Sequence, residues 1–125
     1  MASRFAQLTI DADNVPVVAQ FWAEVLGYRP VIGEDGSAKL SPPDRAPADA
    51  ATVWIQHTTD KKQSKNRAHP DLRPPDDDVD GEVDRLIALG ARRVDIGQSP
   101  DDPYVVLADP AGNEFCVLRR EPRAV

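Results

Sequence analysis

Few residues in this chain can do chemistry. There are two histidines, His57 and His69, and one cysteine, Cys116. A histidine titrates near neutral pH, so it can act as acid, base or metal ligand. A cysteine ligates or attacks only as thiolate, and a free one is most often a small buried hydrophobe. Trp54 and Gln56 alternate with Val53 and Ile55, which puts Trp54 and Gln56 on one strand face. Trp54 there can stack on a flat ligand. A one-residue slip would put His57 in place of Gln56 but turn Trp54 and Gln56 inward. Gln56 is therefore read as facing the cavity, with His57 at the strand end. The basic run Lys61-Lys62-Gln63-Ser64-Lys65-Asn66-Arg67 suits a solvated loop that also attracts an anion. Asn66 and Arg67 are placed to tie it to the second half. There is no Gly-rich phosphate loop, no Gly-x-Ser-x-Gly elbow and no Cys/His zinc spacing.

The 125 residues suit one domain. The net charge of −6 argues against a nucleic-acid partner. One cysteine excludes an internal disulfide. The start, Met1-Ala2-Ser3-Arg4-Phe5, lacks a signal-peptide apolar run, and no stretch suits a membrane span. A cytoplasmic protein without a membrane partner is expected.

Secondary structure follows from periodicity. Arg4 to Asp11 alternates, with Ala6, Leu8 and Ile10 on one face and Gln7, Thr9 and Asp11 on the other. Asp13-Asn14 caps a helix carrying Val17, Val18, Phe21, Trp22, Val25 and Leu26, ended by Gly27. Strands are predicted at Tyr28 to Ile32, Ser37 to Leu40, and Thr52 to His57. Thr58 to residue 68 is a loop. The plan then recurs: a strand from His69 to Arg73, a helix led by the acidic run Asp76 to Asp80 and ended by Gly90, and a strand from Ala91 to Ile96. A hairpin follows, around Asp109-Pro110-Ala111-Gly112. Leu26-Gly27-Tyr28-Arg29-Pro30-Val31 matches Leu89-Gly90-Ala91-Arg92-Arg93-Val94 at four places, so the repeat is about 63 residues long. The reading is an α+β fold of two βαβββ repeats. They form a curved mixed sheet with helices on one face. Repeat one covers about 4–57, the loop 58–68 and repeat two about 69–120, in a single domain spanning 1–125. Units this short need to share one sheet or pair with another chain.

Phe21-Trp22-Ala23-Glu24-Val25-Leu26-Gly27 followed by Asp109-Pro110-Ala111-Gly112-Asn113 resembles the vicinal oxygen chelate superfamily. Asn66-Arg67-Ala68-His69-Pro70-Asp71-Leu72 and Gly112-Asn113-Glu114-Phe115-Cys116 resemble its bacterial glyoxalase-like group. That superfamily includes glyoxalase I, extradiol dioxygenases and bleomycin-resistance proteins. The resemblance implies four ligand positions on the open sheet face, falling here on Gln7, Gln56, His69 and Cys116. Strand parity places the three strand residues opposite their apolar neighbours. Two amides and one thiol suit no common ion well, and Cys116 stands where the metal enzymes typically carry Glu. Glu114 shares its face, but lies about 6.6 Å nearer the turn and would need a bulge to take part.

Two functions follow. One is a metal-free, cofactor-free protein binding a small, partly aromatic molecule through Gln7, Thr9, Trp54, Gln56, His69 and Cys116. The other is a metal-dependent lyase, isomerase or dioxygenase with one divalent ion held by Gln7, Gln56 or His57, His69 and Cys116 or Glu114. The resemblance also implies a homodimer, consistent with exposed sheet edges.

Overall fold

The computed structural model describes residues 1–119, so the predicted end of repeat two near residue 120 and the domain's last residues lie outside the described part. Ten elements follow in order: β1 Gln7–Ala12, α1 Val15–Leu26, β2 Arg29–Ile32, β3 Ala38–Ser41, β4 Thr52–His57, β5 Asp71–Leu72, α2 Val79–Leu89, β6 Arg92–Arg93, β7 Tyr104–Ala108 and β8 Glu114–Leu118. This is α+β, with the βαβββ plan used twice. The chain divides into two compact units between Lys61 and Lys62. The ladders form one four-stranded sheet in each, β1-β4-β3-β2 and β5-β8-β7-β6, rather than a single continuous ladder. In both, first and last strands pair parallel and the other neighbours antiparallel.

In the first unit the Asn14 side chain accepts from Val17 N–H and caps α1, and Gly27 ends it at φ 69°. Only a residue without Cβ enters that left-handed region at little cost. α1 buries Val18, Phe21 and Trp22, whose rings meet edge to face at 5.3 Å. It packs on β2, β3 and β4. Ile10, Ala38, Leu40, Val53 and Ile55 are buried, while Gln7, Thr9, Asp11, Lys39 and Gln56 are exposed. This is the alternation expected of a half-covered sheet.

In the second unit two strands are shorter than predicted. β5 keeps only Asp71–Leu72 of the stretch from His69 to Arg73. Pro70 still accepts from Cys116 N–H at 2.9 Å, but Pro70 and Pro74 have no N–H to extend a ladder. β6 keeps only Arg92–Arg93. There the Asp95 and Gln98 side chains take the N–H groups of Gly97 and Ile96, which pulls the backbone out of the ladder. Asp78 caps α2 by accepting from Gly81 N–H, and α2 packs on β8.

The β7–β8 connection is the predicted turn. Gly112 N–H donates to the Asp109 carbonyl at 2.8 Å, and Gly112 sits at φ 91°. Asp109 is fully buried. Its Oδ1 accepts from the Ala111 and Asn113 amides at 2.9 Å each, and its Oδ2 from Asn113 Nδ2 at 3.2 Å. Truncation would leave buried donors unpaired. Asp109→Ala should lower unfolding free energy by about 2–3 kcal/mol in urea titration, with Asp109→Asn milder. A loss under about 0.5 kcal/mol would show that the turn holds without it.

Candidate functional site

The exposed face of the first sheet carries the four residues predicted there. Register puts Thr9 beside Trp54, and Lys39 on Trp54's other side. Trp54 is half-buried at mid-strand. Gln7 pairs with Thr52, whose hydroxyl donates to Gln7 Oε1 at 2.8 Å. Gln56 pairs with Asp11. Gln7 and Gln56 thus share a face but lie four ladder steps apart, about 13 Å by strand rise. His57 ends β4 on the Val53–Ile55 side. It opens onto a cavity of about 520 Å³ with Asp13, Asn14, Ile32 and Asp35.

The second unit brings His69 and Cys116 together and adds a residue that had not been chosen. Cys116 pairs in register with Asp71. Its Sγ is 3.9 Å from His69 Nδ1, which is 3.6 Å from Asp71 Oδ1. Ligand atoms of these three residues all lie within 4.8 Å of one another. This is the one such His/Cys/Asp/Glu group found among the described residues. The signal for Asp71 was present in the sequence. Residues two apart on an extended segment share a face, so a strand carrying His69 offers Asp71 beside it.

Electrostatics separate the two acidic groups on β8. Burial pushes the Cys116 thiol up to about 11, and the neighbouring Asp71 carboxylate adds to the rise while Lys65 opposes it. The thiol is therefore protonated at neutral pH and is no ready nucleophile. Glu114 behaves differently. Burial raises its pKa, but hydrogen bonds from Lys62 and the Asn66 amide outweigh that and hold it below the usual carboxylate value. The β7–β8 ladder runs in unbroken register from Tyr104↔Leu118 to Ala108↔Glu114, without the bulge that would bring Glu114 to the cluster.

The cluster fits a metal by its donors. Tetrahedral zinc would set N···O near 3.4 Å and N···S near 3.6 Å, roughly, from ordinary bond lengths. The imidazole contacts at 3.6 and 3.9 Å need little contraction. A carboxylate and a thiolate would balance a dication, leaving one tetrahedral position for another ligand. His69 and Asp71 are exposed, so the group is reachable.

The model of the glyoxalase-like domain family matches residues 7–118. The chain belongs to that family. No curated protein matches this glyoxalase-like chain. Among solved structures, it is similar to the fosfomycin resistance protein FosX from Mesorhizobium loti, at 16% identity and TM-score 0.72, covering 97% of this chain and 94% of that one. FosX from Listeria monocytogenes, complexed with Mn(II) and 1S,2S-dihydroxypropylphosphonic acid, is similar at 14% identity and TM-score 0.71, covering 97% and 93%. The bleomycin-binding protein of Streptomyces verticillus, complexed with copper(II)-bleomycin, is similar at 19% identity and TM-score 0.60, covering 97% and 99%. At such identities the likeness is one of fold alone. No helix among the described residues is long and apolar enough to cross a membrane.

Iodoacetamide should alkylate Cys116 slowly at pH 8, with a rate midpoint near 11. Asp71→Asn removes the neighbouring charge and should lower that midpoint and speed the reaction at pH 8. A wild-type midpoint at the ordinary value of about 8.5 would contradict the described surroundings of the thiol.

Proposed function

We propose that this glyoxalase-like chain binds a small, partly aromatic molecule against the exposed face of its first sheet. The observation that carries this reading is the position of Trp54. Its indole stands half-exposed at mid-strand, with Thr9 in register on one neighbouring strand and Lys39 on the other. An apolar ring flanked by a donor and a cation suits a flat ligand carrying a polar or anionic group. Gln56, further along the same face, adds an amide. The bleomycin-binding relative supports binding as a use of this fold. A panel of flat aromatic acids and amines, together with bleomycin, should yield ligands by ligand-observed NMR. Trp54→Ala should weaken the hits about tenfold. Hits indifferent to Trp54, or none at all, would retire the reading.

A second reading is favoured by the His69–Asp71–Cys116 group. Here the chain is a metal-dependent lyase, isomerase or dioxygenase, as the Mn(II) complex of a fold relative makes plausible. His69, Asp71 and Cys116 would hold the ion, which when bound polarises a ligand oxygen as a Lewis acid. Asp71 would supply the negative charge that the two glutamines lack. Elemental mass spectrometry after incubation with Ni, Zn, Mn or Fe should find near one ion per chain, lost in His69→Ala and Asp71→Ala. Absence of bound ion, or retention in both variants, returns the chain to the metal-free reading.

The proposal includes a homodimer in the cytoplasm, because β1, β2, β5 and β6 are all sheet edges within their units. Light scattering at micromolar concentration should give twice the chain mass, and a monomer there removes the dimer.

A further inference from the structure

Glu114 is 7% exposed, on the β8 face opposite Phe115 and Val117. A buried carboxylate needs both cover and counter-charge. Residues 62–67 supply the two. Lys62 Nζ meets Glu114 Oε1 at 2.8 Å, and Asn66 N–H donates to Oε2 at 3.0 Å. Asn66 Nδ2 donates to Asn113 Oδ1 at 3.1 Å. The Lys62 stem crosses Gly112, where an added Cβ would stand 3.3 Å from Lys62 Cδ. Lys62 Nζ also donates to the Ser64 carbonyl, which folds the segment on itself. Lys65, between these anchors, is near enough to act on the charge of Cys116. Cys116, one place along the same face from Glu114, is only 4% exposed. The segment is thus fastened at three successive residues, 112 to 114, and leads directly into His69.

We propose that residues 62–67 form a strap latched by the Lys62–Glu114 ion pair, and that releasing the latch opens Cys116 to solvent beside the already exposed His69 and Asp71. Glu114 is then a positioning residue and not a ligand. The basic run owes its presence to the latch, with Lys62 turned in and Lys61, Lys65 and Arg67 left at the surface. The strap stands whichever way the metal measurement falls, since its test reads access alone.

The test is iodoacetamide labelling of Cys116 at pH 8 in the wild type and in Lys62→Met. Methionine keeps the apolar stem over Gly112 and deletes the ammonium. Removing a nearby cation makes a thiolate harder to form, so electrostatics alone would slow the reaction. Release of the strap would speed it. The expected result is an acceleration of about fivefold or more with circular dichroism unchanged, because one-sided loss of a covered ion pair is strongly unfavourable. An unchanged or slower rate overturns the proposal. A second measurement needs no variant. The Asn66 amide, bonded to Glu114, should show slowed hydrogen exchange in the wild type. Exchange at the rate of an open peptide overturns the latch, and this arm decides if Lys62→Met does not fold.

Discussion

A carboxylate cannot be buried without partners, and Asp109 is buried completely. Three hydrogen bonds from Ala111 and Asn113 meet it, so the needs of one side chain shape the turn between β7 and β8. That turn fixes the ladder Ala108↔Glu114, Leu107↔Phe115, Val106↔Cys116. Period two then decides which face receives each side chain. Phe115 and Val117 go to one, Glu114 and Cys116 to the other. Asn113, oriented by Asp109, offers its own oxygen to Asn66. The docking of the 62–67 segment traces back to this turn, whereas the β5–β8 pairing sets Cys116 beside Asp71.

The two sheets share a plan but treat their second face differently. β1 and β4 alternate between buried and exposed, leaving a polar face with Trp54 in its middle. β8 is buried on both faces from Glu114 to Val117. Burial on both sides of a strand usually calls for apolar residues. Here one of them is a glutamate, tolerated because a lysine and a backbone amide meet it. The first unit keeps a platform open, while the second covers its own and pairs the cover electrostatically.

Much of this was legible in the sequence. Helix ends were marked by Asn14, Asp78, Gly27 and Gly90, whose side chains or lack of one act locally. Parity put Gln7, Thr9, Trp54 and Gln56 on one face, and the ladders place them so. Spacing along that face was less legible. Nothing local in Gln7 or Gln56 reveals that β1 meets β4 at Thr52, since register between strands distant in sequence is set by the packing of Ile10, Val53 and Ile55. Asp71 stands two residues from His69 on the predicted strand, but its pairing with Cys116 depends on a register that no local signal carries. The pairing of Glu114 with Lys62 could not be read either. An ion pair across roughly fifty residues of chain depends on where a loop returns, which propensity does not encode.

The parallel seams have a consequence for how the molecule comes into being. Gln7 meets Thr52, and Asp71 meets Cys116, each across a loop of roughly 45 residues whose closure is entropically costly. Helices and antiparallel neighbours are more local and can form before such a loop closes. Within each unit the seam between first and last strands is therefore the natural last step. His69, Asp71 and Cys116 lie along one of these seams. A chain emerging from synthesis would hold no such cluster until Cys116 had been made and the seam had closed.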